Sequence, residues 1–328
     1  MAYATGIATS STDLWDKLLA FLTADVSLVA AGEEWDVAWT HPSGPTSGVV
    51  LRGPGTGGTD SIFVSMALTT TTGTDDHRIQ FHGMSALNSS ALLVAEHLNV
   101  SPGVRIWLDA GPMKYWFVAS GRRFMVVVNM STVYEVAYCG LFLPYALPTE
   151  YPYPLFIGGS SSASSEVNSW RSTVDAHAAF PFSPYAGTGV NRASGYILGA
   201  NGGWMNAPSQ NNINAQACIG PYRYQEYDVD GGNRFLLSAA GIGNTVPGYD
   251  SIRSRQMMSY DSIFPVEPIT LIQTNNSMQM FGVLDGCYVC PGVGNAAENT
   301  VLIDAVDHLV VQNVFRSTTS TYMAIRLE

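Results

Sequence analysis

Charged side chains are scarce in this 328-residue chain, at 12% of positions, where a soluble domain carries about 25%. Lysine is nearly absent: Lys17 and Lys114 are the only two, and arginine supplies the remaining cations. Arginine's planar fork suits buried or interfacial pairing better than lysine's hydrated ammonium, so the bias leans toward contacts rather than solvated surface. Basic charge is outnumbered, with a formal net charge of −11, which excludes the basic footprint that phosphate-backbone binding needs. Nucleic acid is therefore not an expected partner. Long apolar runs are missing too. The strongest, Phe124 to Leu143, is broken by Asn129, Ser131, Thr132 and Glu135, so no membrane-spanning segment is expected. Asp13, Asp16, Lys17 and Asp25 interrupt the first thirty residues, which do not read as a secretory signal; synthesis in a cytoplasm is the expectation.

Cysteine is limited to Cys139, Cys218, Cys287 and Cys290. The Cys287-x-x-Cys290 spacing suits a zinc knuckle, but no second pair accompanies it. Its strand-like setting would put the two thiols on opposite faces, so buried reduced thiols and no metal are expected. Catalytic signatures are also lacking. There is no Gly-x-Ser-x-Gly elbow, no His-Glu-x-x-His and no phosphate loop ending in Gly-Lys-Ser/Thr. The Gly53-x-Gly55-x-Gly57-Gly58 stretch leads into a strand-like run and reads as a hairpin loop. The acid pairs Glu33-Glu34, Asp75-Asp76 and Asp228/Asp230 sit in turn-like contexts, and Asp228-Val-Asp230-Gly-Gly-Asn233 lacks the closing acid of a calcium loop. No enzyme activity and no cofactor are expected.

What is present is β-forming. One amphipathic helix is predicted from Ser10-Ser11-Thr12-Asp13 through Leu14, Trp15, Leu18, Leu19 and Leu22, capped at its start and ending near Thr23 to Asp25. From Trp35 onward, Gly- and Pro-rich punctuation separates short runs rich in Val, Ile, Phe, Trp and Thr: Trp35 to Trp39, Ile62 to Leu68, Arg78 to His82 and Val104 to Leu108. Tyr115 to Ala119 and Phe124 to Asn129 flank Ser120-Gly121-Arg122-Arg123, a hairpin signal in which the glycine would supply φ > 0. Val133 to Leu143 follows. Pro144, Pro148, Pro152 and Pro154 then withdraw amide donors and predict an extended ribbon.

The expected fold is all-β: antiparallel sandwich or jelly-roll-like layers with a short N-terminal amphipathic helix. Residues 1–157 carry the helix and the first strands. Residues 158–214, rich in Gly, Ser and Asn, read as a long loop insertion at a surface or subunit contact. Residues 215–328 recover strand character at Pro268 to Gln273, Met278 to Val289, Thr300 to Ile303, His308 to Phe315 and Tyr322 to Leu327, completing the same β-domain.

Binding residues are suggested by type and place. Arg122 and Arg123, at the hairpin tip, could anchor carboxylates of a neighbouring subunit. Trp170, Trp204, Tyr222 and Tyr224, in or near the loops, could stack on a glycan or meet a protein partner.

Two blocks carry a resemblance. Tyr115-Trp116-Phe117-Val118-Ala119-x-Gly121-Arg122-Arg123 leads to Tyr134-x-x-x-Tyr138-x-Gly140-x-x-Leu143-Pro144-Tyr145-Ala146-x-Pro148-x-x-Tyr151-Pro152-Tyr153-Pro154-Leu155. Near the end come Leu284-Asp285-Gly286-x-Tyr288, Pro291-Gly292-x-Gly294-Asn295-x-x-Glu298-Asn299, Val310 to Arg316 and Ala324 to Glu328. Together with the opening helix these blocks resemble virion structural proteins of tailed bacteriophages and prophages. The resemblance implies a tail or baseplate component that acts by assembly with copies of itself and with other phage tail proteins. A receptor-binding tail protein contacting host-surface glycan, and a head or neck decoration protein, are the alternatives.

Overall fold

The computed structural model describes residues 1–41, 47–55, 62–71, 76–162, 169–171, 193–208, 217–220, 222–224, 236–238, 266–273, 279–290, 295–312 and 322–328. The first half of the chain runs β1 (Ala2–Ala8), α1 (Ser11–Ala24), α2 (Val26–Ala31), β2 (Asp36–Thr40), β3 (Ser47–Gly53), β4 (Ile62–Thr71), β5 (Asp76–Met84), β6 (Val104–Leu108), β7 (Met113–Ser120), β8 (Arg123–Met130), β9 (Val133–Leu141), β10 (Leu143–Pro144), β11 (Leu155–Gly158) and β12 (Ser161–Ser162). Then come β13 (Ala193–Leu198), β14 (Trp204–Pro208), β15 (Ala217–Gly220), β16 (Tyr222–Tyr224), β17 (Leu236–Ser238), β18 (Glu267–Gln273), β19 (Gln279–Cys290), β20 (Thr300–Ile303), β21 (Val306–Gln312) and β22 (Tyr322–Arg326). The class is all-β, every ladder among the described residues is antiparallel, and the N-terminal helix is where the cap and periodicity put it.

The sheets form three layers rather than a pair. The middle sheet has the order β1-β7-β8-β9-β11-β13-β14. One face of it packs on the sheet β12-β6-β5-β4-β3-β2, and the other on the sheet β15-β18-β19-β22-β21-β20, which β10 joins through β19. Alternation along β7 and β8 sorts the side chains between two cores. Tyr115, Phe117, Ala119, Phe124, Val126 and Val128 meet the first outer sheet and the helix, while Trp116, Val118, Met125 and Val127 meet the second. Burial on both faces explains why these strands are almost uninterruptedly apolar, where an antiparallel sheet with one wet face would alternate.

Helix α1 starts because Ser10 accepts the Asp13 amide in its side chain (3.1 Å) and Asp13 adds negative charge to the first turn. Its apolar stripe of Leu14, Trp15, Leu18, Phe21 and Leu22 enters the first core, each side chain contributing about 2 kcal/mol by burial. Asp25 stops it and caps a second, unforeseen helix, α2, through the Ser27 and Leu28 amides. Gly32, at φ +64°, ends α2.

Several sequence expectations change. Residues 158–214 are not simply a loop insertion: β12 joins the first outer sheet, and β13 and β14 form a hairpin that extends the middle one. Residues 163–168, 172–192 and 209–214 of that stretch lie outside the described residues, as do Asp228 and Asp230. The run from Trp35 is shorter and less regular than its pattern suggests: Trp35 precedes its strand and is buried in the first core, and a register shift in the β2–β3 ladder separates Val37 from Trp39. The proline ribbon is not extended throughout, because the Glu150 and Tyr151 amides both return to Leu147 O (2.9 Å each) and close a turn. Gly121 is not left-handed. It is a point of close approach: a Cβ there would lie 2.9 Å from Pro54 Cγ, and its carbonyl accepts the Gly55 amide at 2.8 Å.

Candidate functional site

The hairpin between β7 and β8 pairs Ser120 with Arg123, leaving Gly121 and Arg122 as a two-residue turn. The register of β19 brings Asp285 beneath that tip. Arg122 Nε donates to Asp285 Oδ2 at 2.8 Å, and Arg123 Nε reaches the same oxygen at 3.3 Å. Arg123 is wholly buried, at 0% exposure. Its Nη2 donates to Met1 Sδ at 3.2 Å, while its Nη1 is buried without a partner. Gly286, at φ +67°, lets the chain turn beside it, and a Cβ there would come within 2.7 Å of Arg123 Nη2.

Arg122 and Arg123 are thus engaged within the chain, Arg122 remaining one-third exposed. Their carboxylate is in the same chain, and Arg123 has no exposed surface to offer. Burial alone would raise the Asp285 carboxyl, but Arg123 and then Arg122 outweigh it and hold the group below its ordinary range. The arrangement locks the hairpin of the middle sheet to the second outer sheet. A polar cleft of about 290 Å³ opens beside it, lined by Ser120, Arg122, Asp285 and Arg326 among others.

The same junction launches the proline-rich segment. Leu141 N donates to Arg122 O (2.8 Å), after which the chain leaves the middle sheet and pairs Leu143 with Val283 and Pro144 with Gly282. Phe142 and Tyr151 plug the segment into the second core, edge to face at 5.6 Å, with the Tyr151 hydroxyl donating to Leu198 O. Between and beyond these plugs, Leu143, Tyr145, Leu147 and Tyr153 face solvent, with Met280 on the strand alongside. Tyr145 is 62% exposed and Leu147 64%. From Leu143 to Pro154 the sole charged residue is Glu150, whose carboxylate is engaged by the Leu147 amide at 3.1 Å. An apolar, nearly uncharged ribbon held at both ends is a surface suited to a protein contact, since interface cores are poor in charge and rich in aromatics.

Of the aromatic residues proposed for stacking, two are packing residues. Trp204 is half-buried against the first core, and its indole N–H donates to Asn99 O at 2.8 Å. Trp170 packs on the same core, with the Arg171 guanidinium 4.8 Å from its ring centre. The backbones of Tyr222 and Tyr224 pair with β17, but their side chains lie outside the described residues. Cys287 belongs to the second core and Cys290 to a cluster on the far face of the same sheet. Burial pushes both thiols up to about 12, which leaves them protonated at neutral pH and poor as ligands or nucleophiles. Among the described residues no group of histidine, cysteine and acid has the geometry of a metal site, and no helix is long and apolar enough to cross a membrane.

The ribbon went unrecognised in the sequence because its prolines announce only an extended path. Which of its apolar residues face inward is decided by the pairing with β19. Asp285 was visible only as part of a family-like string. No family model matches the chain, and no curated protein matches it.

Proposed function

We propose that this chain is a structural subunit of a tailed-phage virion, a tail or baseplate component that works by assembling with copies of itself and with other tail proteins. The observation that carries this reading is the exposed apolar ribbon Leu143–Tyr145–Leu147–Tyr153, which lies inside the block resembling virion proteins. These side chains are 37–64% exposed, so covering each contributes about half of the 1.5–3 kcal/mol of complete burial, and together they offset part of the cost of ordering an interface. The low charge content supports the same reading, because a subunit packed among neighbours has less surface to solvate.

Sedimentation-velocity analysis of the purified chain over a range of concentrations tests the assembly role. The wild type is expected to form a discrete oligomer, and Tyr145→Asp/Leu147→Asp to sediment as a monomer with unchanged far-UV circular dichroism. A wild type that stays monomeric at every concentration, together with its absence from purified particles by mass spectrometry, would sink the proposal.

A further inference from the structure

On the first outer sheet, Ile79, Phe81, Ile106 and Leu108 point into the core, so the alternate residues Arg78, Gln80, His82, Arg105 and Trp107 share the opposite face. The register sets Arg78 across from Trp107 and Gln80 across from Arg105. A directional relay runs along this face. His82 Nδ1–H donates to Ser101 O (2.8 Å), which leaves His82 Nε2 to accept from Gln80 Nε2 (2.7 Å). The amide so oriented presents Gln80 Oε1 to Arg105 Nε–H at 2.9 Å. Every polar atom of the relay is used, and it ends on a guanidinium held by its Nε alone. No acceptor among the described residues meets the terminal nitrogens of Arg105, and they are not among the buried, unpartnered atoms.

Beside it, Arg78 lies over the Trp107 ring at 5.5 Å and is neutralised by Asp76. Among the described residues two guanidiniums on this face meet one carboxylate, a surplus of one positive charge on a chain whose net charge is −11. Burial, and then repulsion from Arg78, bring Arg105 down to about 10 against the opposing pull of Asp76. A half-buried cation aimed by a satisfied second layer, and sharing its nearest described carboxylate, Asp76, with Arg78, is the arrangement of a prepared anion site.

We infer that this face binds a carboxylate, taken by the outward fork of Arg105 with Arg78 alongside. A single surplus charge matches a monoanion better than a dianionic phosphate, and the planar fork matches the two oxygens of a carboxylate. The carboxylate can come from a small organic acid or from an acidic sugar.

The test is to follow the arginine Nε–Hε resonances of the full chain in 1H–15N spectra, titrating sodium acetate, sodium glucuronate or glucose at ionic strength held constant with sodium chloride. Acetate and glucuronate are expected to shift the Arg105 signal saturably in the millimolar range, with no response to glucose. Equal affinities identify a site for the bare carboxylate; tighter glucuronate binding identifies one that also reads the sugar. Arg105→Gln is expected to abolish saturation when followed on the Arg78 signal. Gln80→Leu keeps both guanidiniums but removes the acceptor that aims Arg105, and is expected to weaken binding about tenfold, a loss of about 1.4 kcal/mol. A response that stays linear in both salts, or one unchanged in Arg105→Gln, overturns the site.

Discussion

Arg123 and Asp285 stand 162 residues apart in the chain and meet with both side chains buried. A buried pair of this kind stabilises little relative to apolar residues of similar volume, but breaking one side strands a charge. Arg123→Ala is therefore expected to lower unfolding free energy by about 3–5 kcal/mol in urea titrations. Arg123→Met/Asp285→Leu should recover much of that loss, because neither charge is then left alone. Arg122, one-third exposed, is expected to cost less than about 1 kcal/mol on truncation to alanine. A double variant as damaged as Arg123→Ala would show that the pair stabilises in its own right. Nothing local in Gly121-Arg122-Arg123 separates the exposed arginine from the buried one; β19 passing beneath the tip makes the difference.

At the scale of elements, the best-read parts of the chain were those with two independent signals. Helix α1 had a cap and a periodic stripe. Strands β7, β8 and β9 had apolar runs and short turns. Strands β1, β3 and β11 to β17 were missed. Ala2–Ala8 alternates small residues with Tyr3, Thr5 and Ile7 on an exposed face, and β13 and β14 lie among Gly and Asn that favour turns; these acquire strand geometry from a ladder partner, β7 for the first and β11 for the hairpin. Burial on both faces makes the middle strands the hardest to open. Hydrogen–deuterium exchange followed by mass spectrometry should find residues 113–141 the slowest to exchange, and those of β2 and β20, at the sheet edges, among the fastest. Faster exchange in β7 and β8 than in β20 would contradict the three-layer packing.

For the whole molecule, two electrostatic effects oppose each other as pH falls. Protonating carboxylates relieves the repulsion of a chain at −11. Against this, burial holds His82 and His308 below 6.5, their ordinary value, with Arg105 adding to the effect on His82 and Arg326 to that on His308. A group whose pKa is lower folded than unfolded binds fewer protons in the native state, so its stabilisation is complete above 6.5 and is lost as pH falls through the folded value. Asp285, held below its ordinary range, contributes its loss only near and below the carboxylate range. The Tm is expected to fall between pH 7.5 and pH 5, and more shallowly in His82→Asn/His308→Asn. A Tm that rises over that interval would mean that relief of charge repulsion dominates.

By itself the sequence determined the all-β class, the capped helix, the hairpin and most strand cores, because cap chemistry, turn residues and side-chain periodicity act over a few neighbours. It determined also that the chain carries little charge to solvate. Tertiary structure alone decided that there are three layers, that residues 193–208 belong to the middle sheet, that Arg123 is buried on Asp285, and that Trp204 is packed rather than displayed. It decided too which apolar residues of the proline ribbon are left outside. Each of these depends on which strand lies beside or beneath another, a long-range pairing set by the burial of whole faces and written in no local stretch of residues.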